Sequence, residues 1–133
     1  MDPAAPAPRR TLALVWVGRV ISGAIVMMFI AGAYFNLSKA DFAAEGAAKM
    51  GFPENTLQPI GAALLVSTVL YAIPQTAVLG AILLTGYLGG AVCTHVRAGE
   101  PFYFAVIFGV LVWVALVFRD ARLRQLLPLR SLS

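Results

Sequence analysis

NTLQPIGAALLVSTVLYAIPQTAVLGAILLTGYLGGAVCTHV, residues 55–96, is a run of 42 positions without Asp, Glu, Lys or Arg. A soluble domain does not leave so long a stretch uncharged, and a helix needs about 20 apolar residues at 1.5 Å each to cross the hydrocarbon of a bilayer. The run is therefore long enough for two passes. Ile73-Pro74-Gln75-Thr76 interrupts it near the middle. Pro74 supplies the turn, because it has no N–H to donate and pushes the residue before it out of the helical region. The stretch reads as a transmembrane helical hairpin.

Working outward, residues 20–38 are uncharged for 19 positions and residues 101–118 for 18. Each adds one span. The expected fold is an all-α membrane protein, a four-transmembrane up-and-down helical bundle with spans at about 11–37, 57–73, 76–96 and 102–118. The alternation of a membrane β-barrel is absent, and Gly/Ala-rich apolar runs suit helices that satisfy their own backbone in lipid. Composition agrees: 60% of residues are hydrophobic, only 12% are charged, and the mean hydropathy is +0.85. That leaves too little polar surface for a soluble domain of this length.

Ten Lys and Arg against six Asp and Glu give a net charge of +4. The cations sit at the ends of the apolar segments, where topology determinants sit, and not along a stripe that tracks a phosphate backbone, so nucleic acid is not an expected partner. The side carrying both termini and the Pro74 turn holds Arg9, Arg10, Arg19, Arg119, Arg122, Arg124 and Arg130; the other side holds Lys39, Lys49 and Arg97. Seven against three places both termini in the cytoplasm, with the chain in a bacterial inner membrane. Trp16 and Trp113 fall toward the cytoplasmic ends of their spans, Tyr34 and Tyr103 toward the outer ends.

Residues 1–10 form a Pro/Ala-rich tail expected to be disordered, 11–127 the membrane domain, and 128–133 a C-terminal tail. Arg9-Arg10 ahead of an apolar segment also fits a cleaved twin-arginine export signal, but that segment is long enough to remain as a span. Between the first two spans, Ser38 is a candidate N-cap, Asp41 follows three residues on, and Gly51 is a candidate C-terminal stop. This pattern predicts a short interfacial helix. After Phe118, Leu123, Leu126 and Leu127 oppose Arg119 and Arg122, a basic amphipathic stretch expected to lie on anionic headgroups, with Arg119, Arg122 and Arg124 as contacts.

The stretch from Thr76 through Leu84-Thr85-Gly86-Tyr87-Leu88-Gly89-Gly90 to Cys93-Thr94-His95-Val96-Arg97 and Pro101 resembles the DoxX-like family of small four-helix membrane proteins. The likeness extends to Trp16 with Arg19-Val20-Ile21-Ser22-Gly23, to Gly51-Phe52-Pro53-Glu54, to Leu70-Tyr71-Ala72-Ile73-Pro74 and to Arg119-Asp120-Ala121-Arg122-Leu123. It implies the same four-span bundle, and a family named for membrane subunits associated with quinol and sulfur oxidation. Family members commonly carry an acidic residue and a nearby lysine in the second half of the first helix, and a glutamate in the second. Here Phe29-Ile30-Ala31-Gly32-Ala33-Tyr34-Phe35 and Ile60-Gly61-Ala62-Ala63-Leu64-Leu65 carry no charge.

Ionisable groups deep in a membrane mark proton and ion pathways. The deep polar residues here are neutral: Ser22, Ser67, Thr68, Thr85 and Tyr87. Proton-coupled transport is therefore disfavoured. Arg19 and His95 are the two candidates for binding a cofactor such as a quinone, against simpler roles in which Arg19 snorkels to the interface and His95 hydrogen-bonds there. One histidine excludes bis-histidine haem ligation within one chain, and Cys93, two residues from His95, points to nearly the opposite side of a helix. No metal site, catalytic residue or resident cofactor is expected. Gly86 and Gly90, with Gly89 beside them, form a bare groove on the third span, expected to pack inside the bundle against Gly18, Ser22 and residues 24–32 of the first helix or against the second helix across Pro74; the alternative is an outward edge that receives a partner's helix. The expected function is a non-catalytic accessory subunit held in the lipid bilayer beside other integral membrane subunits, in a respiratory or photosynthetic complex. The alternatives are a quinone-binding redox component and, less favoured, a small-molecule transporter.

Overall fold

The computed structural model describes residues 9–126, and the regular structure within them is helical. The sequence-predicted tail at 1–8 and the chain from 127 onward lie outside the described residues. Six α-helices follow in order: α1 Arg9–Leu37, α2 Asp41–Lys49, α3 Leu57–Ala72, α4 Ala77–Ala98, α5 Tyr103–Arg119 and α6 Ala121–Leu126, with 3-10 turns at Glu54–Thr56 and Pro74–Thr76. Arg9 and Arg10, expected in the tail, instead form the first turn of α1; arginine is a good helix former and needs no apolar neighbour to join one.

The four long helices close into a ring. α1 packs against α3 and α5, and α4 packs against the same two from the other side, so α1 and α4 lie diagonally opposite. Three of the four seams are set by a glycine that lets backbones meet. A Cβ on Gly18 would lie 2.7 Å from Ala115 O and from Arg119 N of α5, and one on Gly61 would lie 2.9 Å from Asn36 Cβ and 3.1 Å from Ala33 O of α1. On Gly80 it would lie 2.5 Å from Tyr71 Cα and 2.7 Å from Leu70 C of α3. Real side chains do not tolerate such separations, so these positions fix interhelical distance. The fourth seam, α4 to α5, carries a side-chain hydrogen bond in which Trp113 Nε1 donates to Thr85 Oγ1 at 2.8 Å. Phe29 and Phe108 add an edge-to-face pair across α1 and α5, centroids 5.9 Å apart.

The α3–α4 turn follows from Pro74. Ile73 is extended (φ −83°, ψ 121°), Pro74 opens the 3-10 turn, and Thr76 Oγ1 donates to Leu70 O at 2.8 Å, covering a carbonyl that the broken ladder leaves free. At the far end, α1 and α2 are separated by a tight reversal. Ser38, the expected N-cap of α2, belongs to the end of α1: its hydroxyl donates to Phe35 O at 3.3 Å. The reason is Lys39, which takes a left-handed φ of 52° while the Ala40 and Lys39 amides close onto Phe35 O and Asn36 O. Helix α2 therefore begins at Asp41, with Ala40 before it and no side-chain cap. Its end does follow the glycine signal: Gly51 (φ 81°) donates to Ala48 O and Phe52 to Ala47 O, the Schellman pattern.

Two helices are long and apolar enough to cross a membrane, Arg9–Leu37 and Pro74–Ala98; Tyr103–Arg119 is apolar but shorter. The 16 residues of α3 rise only about 24 Å, less than the roughly 30 Å of a typical hydrocarbon core. The outward faces of all four are apolar: Met27 on α1, Val66 on α3, Ile82 on α4 and Val110 on α5 are 75%, 56%, 55% and 57% exposed.

Candidate functional site

Tyr71 ties the bundle together at the end that carries Pro74. It is fully buried, and its hydroxyl donates to Val112 O of α5 at 2.8 Å. That leaves its oxygen to accept from Ser22 Oγ of α1, 3.4 Å away. Arg119 covers it from outside, the guanidinium carbon 4.6 Å from the ring centroid and Nη2 donating to Tyr71 O. Gly80 of α4 presses on its backbone. One residue thus meets α1 and α5 through its side chain and α4 through its backbone, from its place on α3.

Beyond Arg119 the four helices open into a cleft of about 640 Å³, lined by Arg19, Ala72, Pro74, Gln75, Ala77, Leu116 and residues 119–122. Arg19, a sequence candidate for cofactor binding, stands at its rim with its guanidinium 5.3 Å from the Trp16 ring centroid. Arg119 and Arg122 join it. The carboxylate in the lining, Asp120, is engaged in capping α6: Oδ1 accepts from the Arg122 and Leu123 amides at 2.9 and 3.3 Å. Arg124, expected to face headgroups with Arg119 and Arg122, instead turns back to donate to Val117 O at 3.0 Å and to Phe118 O. It satisfies carbonyls left open at the end of α5.

The opposite end holds His95. A second cleft, about 490 Å³, runs between α2, the start of α3 and α4, lined by Asn36, Ala47, Met50, Phe52, Tyr87, Gly90, His95 and neighbours. His95 Nδ1 lies 2.7 Å from Ala91 O; a carbonyl only accepts, so in the neutral ring Nδ1 carries the proton and Nε2 the lone pair. Arg19 and His95 are therefore not brought together: one lines the cleft at the terminal end, the other the cleft under α2. Among the described residues, no three His, Cys, Asp or Glu side chains form a group able to hold a metal ion.

The glycine groove of α4 is not where internal packing requires it. A Cβ at Gly86, Gly89 or Gly90 would meet nothing within 4 Å, and Cys93 is exposed along the same edge. Their expected partners are elsewhere: Gly18 packs on α5 and Ser22 bonds Tyr71, because α1 lies across the diagonal from α4. The buried stripe of α4 is Ala77, Gly80, Ala81, Leu84 and Leu88. Gly80, Gly61 and Tyr71 are the positioning residues that spacing alone did not single out. For Gly80 a signal existed: it lies within two turns of Pro74, where the two arms of a hairpin are closest.

Apolar helices closed around a buried hydroxyl pair, with an arginine cleft at one end, define a small all-α protein of membrane type. The profile of the DoxX-like family matches residues 20–118, and the chain belongs to that membrane-associated family. No curated protein and no solved structure matches it.

Proposed function

We propose that the chain is a non-catalytic accessory subunit that crosses a bacterial inner membrane four times, both termini cytoplasmic, and packs on a larger respiratory or photosynthetic assembly through α4. The observation that carries this reading is the edge Gly86, Gly89, Gly90 and Cys93, where an added Cβ on any of the three glycines would meet nothing within 4 Å and where Gly86 and Gly90 border the cleft under α2, on a helix whose other face is spent on α3 and α5. In lipid, helices associate by close backbone approach and dispersion, not by expelling water, and a bare edge is the surface a second helix can approach most closely. The apolar exterior of all four long helices supports four spans, with the bilayer thinning locally around the short α3.

Gly86→Leu and Gly90→Leu test the reading. Both variants should keep the melting temperature of the isolated chain in mild detergent and lose co-isolation with larger membrane subunits. Variants that melt early would place the edge inside the fold; variants that still co-isolate would remove it from the interface.

A second reading, a quinone-binding redox component, rests on the cleft under α2, whose mostly apolar lining includes His95 and Tyr87. Quinone retained by the purified chain and lost in His95→Ala would favour it.

A further inference from the structure

We propose that the cleft at the Pro74 end is a binding site for a phosphate group, held by the guanidiniums of Arg19, Arg119 and Arg122. Three cations from three different helices, α1, α5 and α6, line one cavity of about 640 Å³. Asp120, the carboxylate among them, caps α6 through Oδ1 and offsets one of the three positive charges. Three arginines against one carboxylate leave the lining with a net positive charge, and a cleft lined mainly by one sign of charge in low-dielectric walls draws ions of the other sign. Planar forks of N–H donors match phosphate oxygens: Arg119 commits one nitrogen to Tyr71 O and has others to offer, and Arg19 lies with its guanidinium carbon 5.3 Å from the Trp16 ring centroid.

Two sources supply this chemistry, the headgroup of an anionic phospholipid and a soluble phosphate compound. The surroundings suit the first, since Val20 and Ile73, the sequence neighbours of the lining residues Arg19, Ala72 and Pro74, are exposed apolar side chains. The site is separate from the glycine edge of α4, which lies in the half of that helix nearer α2, so the two proposals fail independently.

The test uses the full chain in phosphatidylcholine nanodiscs, with phosphatidylglycerol added in one arm and inorganic phosphate in the other. Bound lipid is counted by native mass spectrometry and stabilisation is read from the melting temperature. Arg19→Gln and Arg122→Gln should each weaken binding about five-fold and the double variant about thirty-fold, from about 1 kcal/mol per arginine near an anionic surface. Arg9→Gln with Arg10→Gln, which removes the same charge outside the cleft, should weaken binding clearly less than the double cleft variant. Retention of phosphatidylglycerol that the double variant loses identifies a lipid site; stabilisation by inorganic phosphate that it loses identifies a soluble ligand. No preference for either anion, or an equal loss in the Arg9/Arg10 control, overturns the proposal.

Discussion

Tyr71 shows how much a single residue can join when lipid supplies no hydrophobic drive between helices. Its hydroxyl accepts from Ser22 and donates to Val112 O, so the α1, α3 and α5 backbones are held around one buried oxygen. Tyr71→Phe keeps the ring and removes both bonds. Interhelical side-chain hydrogen bonds average near 0.6 kcal/mol each in membranes, so the variant should lose about 1 kcal/mol, read by thermal unfolding in detergent; an unchanged melting temperature would mean that the hydroxyl contributes nothing to the bundle. The residue was not legible as a hub. A lone tyrosine in an apolar run has the same appearance whether it faces lipid or core, and its partners lie 49 and 41 positions away in sequence. The bonds of Arg124 to the end of α5 were not legible for a related reason: positive charge near a helix end serves headgroups and open carbonyls alike, and only the fold of α6 back on α5 brings those carbonyls within reach.

At the scale of elements, helix positions were readable because their ends are written in local chemistry. Pro74 breaks one helix, Gly51 and Gly99 adopt left-handed φ at the ends of two others, and charges resume where the apolar runs stop. Which face of α4 turns inward was not readable. Spacing says which glycines share an edge, yet a helix that is apolar all round has no polar face to orient it. The two sets of glycines should therefore respond with opposite sign. Gly18→Ala and Gly80→Ala drive a methyl into α5 and α3 backbone and should lower stability by about 1–3 kcal/mol, the usual cost of overpacking. Gly86→Ala and Gly90→Ala, with open space around the new methyl, should be neutral or gain up to about 1 kcal/mol from helix propensity. Equal losses at all four positions, measured by denaturation in the same detergent, would contradict this division.

At the scale of the whole molecule, a four-span topology requires every long helix to cross the bilayer, including α3, which has 16 residues, and α5, which has 17. If only α1 and α4 crossed, Gln75 would stand on the same side as Glu45, and Glu100 on the side of Gln125. Four crossings reverse both pairings. The direct measurement is labelling of single cysteines at Glu45, Gln75, Glu100 and Gln125, in a Cys93→Ser background, with a membrane-impermeant maleimide on intact and permeabilised cells. Four spans with cytoplasmic termini predict labelling at Glu45 and Glu100 in intact cells, and at Gln75 and Gln125 only after permeabilisation. Labelling of Gln75 together with Glu45 in intact cells, with Glu100 protected, would contradict the account.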